Sequence, residues 1–244
     1  MSSKIDLSIA ALSVLAVTSF GQDLVHMRTE YVSEGVLRLV PDESLTPQRG
    51  PDEVLAYQSL NSGSTNRLRV GSDEIGDDLY MVPGTGGQVS TIARTLVNMS
   101  ATGRIDQYRM SLIWRDLATQ GVQQRRDFVI LSSLPPGVGA VITIPSIILD
   151  PLSIIVPDNA YFSVRYSDPI GIDPSDFGVL TGGPNIAGSS SRFIQNFTTG
   201  QQIDLGSEDN NIAYVIATRP IPAPGSALGL ASLAGVLAAR RRRA

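Results

Sequence analysis

An all-β fold, an antiparallel two-sheet β-sandwich of jelly-roll type, is predicted by three features of this 244-residue sequence. Apolar and polar residues alternate with a period of two in its clearest segments. Val, Ile, Thr and aromatic residues fill many short runs. Gly, Pro, Asn and Asp clusters separate those runs at the spacing of a sandwich, and no internal repeat stands out.

The first 21 residues read as a signal peptide. Lys4 and the terminal amine give a weakly positive start, diluted by Asp6, and residues 7–20 are an apolar stretch. Ser19 and Gly21 then occupy the −3 and −1 positions of a cleavage point before Gln22. Residues 22–64 are expected to be a loop-rich lead-in. Strands are expected at 31–40 and near 54–60, and Pro41, Pro47, Gly50 and Pro51 punctuate the stretch between them.

The sandwich proper is assigned to 65–219. Tyr108, Met110, Leu112 and Trp114 alternate with Arg109, Ser111, Ile113 and Arg115, which puts an aromatic and aliphatic row on one face. Phe162, Val164 and Tyr166 alternate with Ser163 and Arg165 in the same way. Further strands are expected at 78–82, 89–98, 127–132, 140–144, 152–156, 176–180, 192–197 and 212–218. Pro145, Pro151 and Pro157 confine 147–156 to an edge or corner, because proline cannot donate to a ladder.

Residues 220–244 form a three-part tail. Pro220, Pro222 and Pro224 enforce an extended break. An uncharged apolar run follows at 226–239, about 21 Å long as a helix and so shorter than a hydrocarbon core of roughly 30 Å. Arg240, Arg241, Arg242 and Arg243 then close the chain. Their long stems reach the headgroups, local thinning makes up the missing length, and four arginines favour the cytoplasmic side, leaving the body outside.

This motif, span and basic stop resemble the PEP-CTERM sorting signal of bacterial envelope proteins. The resemblance implies export and recognition by a membrane-embedded sorting transpeptidase, an exosortase. In that family the motif is Pro-Glu-Pro. Pro222-Ala223-Pro224-Gly225 places alanine where glutamate is usual, similar to planctomycete-type members. A tail anchor that is never cleaved would use the same three parts. A looser resemblance covers 70–218. Gly76-Asp77-Asp78-Leu79, Val82-Pro83-Gly84-Thr85-Gly86-Gly87 and Ile155-Val156-Pro157-Asp158 before Tyr161-Phe162-Ser163-Val164 look like the β-sandwich bodies common among PEP-CTERM proteins. The family resemblance also implies association with exopolysaccharide.

Composition narrows the chemistry. There is no cysteine, which removes thiolate catalysis, zinc–cysteine sites and iron–sulfur clusters. Net charge is −4, and setting aside the arginine block with Lys4 and Asp6 doubles the negative charge of the remainder. An acidic body argues against nucleic acid as a partner. His26 is the only histidine and lies next to the signal peptide, at an expected mobile N-terminus with no rigid support for a general base. The run Asp73-Glu74-Ile75-Gly76-Asp77-Asp78 could supply oxygens to Ca²⁺, but follows no EF-hand or β-roll pattern and reads first as a solvated acidic turn before a strand. Ser207–Asn211 reads the same way. The glycine clusters at 84–87 and 182–183 lack a Walker lysine and read as turns. Asn98-Met99-Ser100 and Asn196-Phe197-Thr198 fit the glycosylation pattern.

No cofactor is expected, and three functions are weighed. The first is a non-enzymatic structural, adhesive or matrix module. The second is a carbohydrate-binding module, which requires an exposed aromatic row. The third is a glycoside hydrolase, which requires two carboxylates about 5–9.5 Å apart. The sequence favours the first.

Overall fold

The N-terminal part of the described chain is a hairpin. β1 (Leu24–Ser33) turns at Glu34-Gly35 into β2 (Val36–Pro41), with Gly35 at φ +69°. The computed structural model describes residues 24–42, 52–60, 66–207 and 210–221. The remaining strands are β3 (Val54–Gln58), β4 (Asn66–Arg69), β5 (Glu74–Tyr80), β6 (Gly87–Asn98), β7 (Ile105–Arg115), β8 (Val122–Leu134) and β9 (Gly139–Ile144). After the short helix α1 (Ser146–Leu149) come β10 (Ile155–Val156), β11 (Asn159–Ile170), β12 (Phe177–Thr181), β13 (Phe193–Asn196), β14 (Gln202–Asp204) and β15 (Tyr214–Pro220).

The protein is therefore all-β, but its sheet is mixed. Hydrogen bonds join the strands in the order β14-β13-β5-β11-β7-β8-β2-β1-β9-β6-β12-β4, with β10 and β15 also on β6 and β3 on β15. Most neighbours are antiparallel, whereas β1 runs parallel to β9 and β2 parallel to β8. The purely antiparallel arrangement expected from the sequence is corrected by this hairpin. β8 and β9 are consecutive in the chain, yet β1 and β2 lie between them. A hairpin inserted between two strands of opposite direction makes two contacts of the same sense, and here both are parallel. Side-chain alternation reports which way a residue faces, not which strand lies beside it.

The stretch expected as a loop-rich lead-in contributes β1, β2 and β3. His26 is not at a mobile end. It pairs opposite Val141 within β1, and burial holds its imidazole below its usual pKa against the opposing pull of Asp42. The strand expected at 152–156 shrinks to β10. Pro151 instead sits in a single 3₁₀ turn over Asp150–Leu152, and Ser153 closes that turn at φ +48°.

The predicted inward rows form the core. Tyr108, Met110, Leu112 and Trp114 of β7 and Phe162, Val164 and Tyr166 of β11 are all buried in one cluster with Ile92 and Leu96 of β6, Phe177 of β12 and Tyr214 of β15. Trp114 stacks on Phe162 at 4.3 Å between centroids, and Phe162 meets Tyr214 edge-on at 5.1 Å. Tyr108 and Tyr166 pack on Phe177, and the Tyr166 hydroxyl donates to the Thr95 carbonyl at 3.0 Å. Strands distant in the ladder thus touch through side chains. Such aromatic pairs add about 0.5–1.5 kcal/mol each beyond their buried area.

Arg94, 1% exposed in the middle of β6, interrupts this apolar face. Its guanidinium lies 4.5 Å from the Tyr166 ring centroid and 6.0 Å from that of Tyr214. Ring faces attract a desolvated cation and offset part of the cost of burying it.

Candidate functional site

The site grows out of the two faces of β5. Ile75, Asp77 and Leu79 point into the core, and Glu74, Gly76, Asp78 and Tyr80 point the other way. On one side β11 sets Tyr161 opposite Asp78 and Ser163 opposite Gly76. On the other, β13 sets Gln195 opposite Gly76, which brings Phe193 level with Asp78. Phe193, Asp78 and Tyr161 therefore form a row across three strands, with Tyr80 beside it at 40% exposure.

Phe197 closes the lower end of the row. It meets Tyr161 edge-on at 5.4 Å and lies above Gly76, where an added Cβ would come within 2.9 Å of its ring. The Arg115 guanidinium sits 4.4 Å from the Phe197 ring centroid and forks onto Glu74, with Nε–Oε1 2.7 Å and Nη2–Oε2 2.9 Å. Ser163 Oγ donates to the same carboxylate at 2.6 Å. Bidentate geometry of this kind fixes both partners.

The upper end is an open cleft of about 410 Å³ lined by Asp78, Tyr80, Ser189, Ser190, Ser191, Arg192 and Phe193. One wall is the segment 185–191, bridged to β3 by Gln58 opposite Ala187 and to β5 by Tyr80 opposite Ser189. Gly188 has φ +70°, and a Cβ there would come within 2.6 Å of the Tyr80 carbonyl, so the wall requires glycine. The wall is also tied from below. The buried Tyr57 hydroxyl donates to Asn185 Oδ1 at 3.0 Å and lies 2.9 Å from Ser190 Oγ, which donates to Asn211 Oδ1 at 2.7 Å. Burial and the neighbouring Asp77 push the Tyr57 pKa well up, so it remains a phenol. Ser191 N–H and Oγ–H both donate to Asp78 Oδ1 at 2.9 Å.

The four acidic positions singled out as calcium ligands do not converge. They belong to a strand and its approach, not to a solvated turn, so successive carboxylates point to opposite faces. Asp73 accepts from Asn196 Nδ2 at 2.8 Å, Glu74 is held by Arg115, Asp78 by Ser191, and Asp77 is fully buried. Burial, and then the charge of Asp78, raise the Asp77 pKa well above its ordinary value. Among the described residues no group of three or more His, Cys, Asp or Glu side chains is placed to hold a metal ion.

Neither glycosylation sequon presents its amide. Asn98 Nδ2 donates to the carbonyls of Gly103, Leu134 and Pro135, and Asn196 Nδ2 is taken by Asp73. The processing residues Gly21, Gln22, Pro222, Ala223, Pro224, Gly225, Arg240, Arg241, Arg242 and Arg243 lie outside the described residues. Among the described residues no helix is long and apolar enough to cross a membrane.

Sequence reasoning missed Tyr57, Gly188 and the Ser189–Ser191 wall. The one signal available for the row was the alternation that turned Tyr161 away from Phe162. Compared with known proteins, the chain matches no family model, and no curated protein or solved structure is significantly similar to it.

Proposed function

We propose that the chain is an exported cell-envelope or extracellular protein whose body, a sandwich folded from the mixed sheet, serves as a non-enzymatic structural or adhesive module. In this reading residues 1–21 direct export. The PEP-CTERM-like tail passes the protein to an exosortase-like transpeptidase, with its apolar helix in the inner membrane until it is cut.

One observation supports the reading: the described strands all lie between the two proposed processing points. The first described strand begins at Leu24, two residues beyond the proposed cleavage before Gln22, and the last described strand ends at Pro220, just ahead of Pro222-Ala223-Pro224. Cutting at either place removes no described strand pairing. The end of β15 is also anchored. Arg219 bonds Asp150 and Glu53, and the Glu53 side chain is fully buried. The Thr218 hydroxyl donates to the Thr85 carbonyl. A partly buried cation shared by two carboxylates resists fraying of a terminal strand.

The proposal assigns no catalysis. The acids nearest the cleft are engaged by partners, as Glu74 and Asp78 are, or buried away from it, as Asp77 is.

Expression of the full chain, and of a variant lacking 222–244, in an exosortase-bearing bacterium tests the proposal by cell fractionation. The full chain is expected in the envelope fraction with Gln22 as its first residue, and the shortened form in the periplasm or medium. Retention of both forms in the cytoplasm would end the proposal.

A further inference from the structure

We propose that the end of the body from which the chain passes into its tail rests on the outer surface of the lipid bilayer, through a rim of aliphatic side chains formed by Val82, Val122, Ile147, Ile155 and Ile221. The inference rests on the envelope reading for the membrane tail, and it adds a second, direct contact between the folded body and lipid.

The described chain enters and leaves the body at opposite ends of β6. Leu24 lies opposite Gly139, which pairs with Val97 near the end of that strand, whereas Pro220 pairs with Gly87, its first residue. Those two positions on β6 are ten residues apart, about 33 Å along a strand. The tail therefore starts from one end of the body only. Four residues, 222–225, separate Ile221 from the apolar run at 226–239. Even fully extended they reach roughly 18 Å, so a tail seated in lipid keeps this end close to the headgroups.

The same end is where aliphatic groups are bare. α1 sends Ile148 and Leu149 into the core and leaves Ile147 80% exposed. β10 buries Val156 in the core and leaves Ile155 52% exposed. Val82 opens the turn that precedes β6, Val122 starts β8, and Ile221 follows β15, all three exposed. Hydrogen bonds tie these pieces together. The Thr218 hydroxyl donates to the Thr85 carbonyl, Gln88 Nε2 to the Asp150 carbonyl at 3.0 Å, and Gln124 Nε2 to the Ile155 carbonyl at 2.7 Å. Asp158 accepts from the Gly84 and Gly86 amides at 3.0 and 2.6 Å. At the opposite end the exposed large apolar side chains, among the described residues, are Val25 and Ile170.

Lipid suits this rim better than a protein partner does. Protein interfaces draw most of their energy from a central aromatic or arginine anchor in a fitted pocket. Here five aliphatic side chains stand around a rim, and a fluid surface takes them without shape complementarity, in proportion to the apolar area buried. Charged groups among them are engaged within the body: Arg219 by Asp150 and Glu53, Arg126 by the Leu152 carbonyl, and Asp158 by its two amides. Contact with the headgroups therefore requires none of these pairs to break. Seated in this way, the rim holds Pro222-Ala223-Pro224 at the membrane surface, within reach of a membrane-embedded transpeptidase.

A chain without cysteine accepts single thiol reporters, and these test the proposal. Ile147→Cys, Ile155→Cys and, at the opposite end, Ile170→Cys each carry the fluorophore NBD, and Ala234→Cys marks the apolar run. Each protein, purified with its tail intact from a host without an exosortase, is reconstituted into phosphatidylcholine vesicles with and without nitroxide-labelled lipid. Nitroxide near the headgroups is expected to quench the emission from 147 and 155 at least twofold and to leave that from 170 unchanged. Thermal melting checks that each labelled body stays folded. Quenching at 147 and 155 no greater than at 170 overturns the proposal. So does a blue shift at 147 that lipid nitroxide leaves unquenched, which would assign the rim to a second copy or another protein. Quenching at 234 alone defeats the rim and leaves the tail reading standing, whereas quenching at 147 and 155 without 234 defeats the tail reading and leaves the rim.

Discussion

Asp77 and Asp78 are covalent neighbours with the same side chain, and β5 sends them into opposite environments. Asp77 lies opposite Phe162 and points into the aromatic core, where it is fully buried and burial raises its pKa. Asp78 lies opposite Tyr161, faces the cleft and accepts two bonds from Ser191. One residue of register separates an acid in the apolar core from an acceptor bonded to the cleft wall. At β5 the inward face is thus organised for packing, and the outward face for holding polar groups in fixed positions.

The largest effect that can break this contrast lies on the inward face. Trp114→Ala removes the ring stacked on Phe162 and is expected to cost about 3–5 kcal/mol in urea unfolding, whereas the outward Tyr80→Ala should stay within about 0.5 kcal/mol. Equal losses at the two positions would mean that the faces are not distinct.

Arg115→Ala probes the outward face where it is most ordered. The Arg115 and Glu74 side chains are 16% and 12% exposed. Removing the cation leaves Glu74 bonded only to the Ser163 hydroxyl and strips the guanidinium from Phe197. A loss of about 2 kcal/mol is expected, below that of a fully buried pair because solvent still screens the site. High salt should not reproduce it, since partly buried pairs are screened little.

The smallest effect is one of slope. Below the ordinary carboxyl value near 3.8, the folded and unfolded chains both hold the Asp77 proton. Above it the unfolded chain releases the proton and the folded chain keeps it, so this residue lowers stability as pH rises toward its raised folded value. Asp77→Asn should flatten that decline in a series of thermal melts from pH 4 to pH 9, and Asp78→Asn, which removes only the second cause of the raised value, should weaken it less. A decline of unchanged steepness in Asp77→Asn would place the proton elsewhere.

These residues also mark what could be read before folding. The rows from Tyr108 to Trp114 and from Phe162 to Tyr166 were legible because large apolar side chains repeat every second residue and nothing polar interrupts them. β5 was not, because Glu74, Gly76, Asp77 and Asp78 carry the composition of a turn, and only pairing with β11 and β13 holds them extended. Its acids therefore read as one cluster, which strand alternation then divides. The two parallel contacts of the first hairpin were hidden for a different reason: they depend on β8 and β9 standing apart, a long-range arrangement that local periodicity does not encode. The cleft wall falls between the strands expected at 176–180 and 192–197, and it forms no named strand of its own. What makes it a wall is Tyr57, 128 residues from Asn185 along the chain.

Protease shaving of spheroplasts carrying the full chain tests the central claim, that this body stands outside the cytoplasmic membrane, most directly. Trypsin added from outside is expected to digest the body between residues 24 and 221 while a cytoplasmic marker stays intact. Full protection of the body until the membrane is lysed would contradict the account.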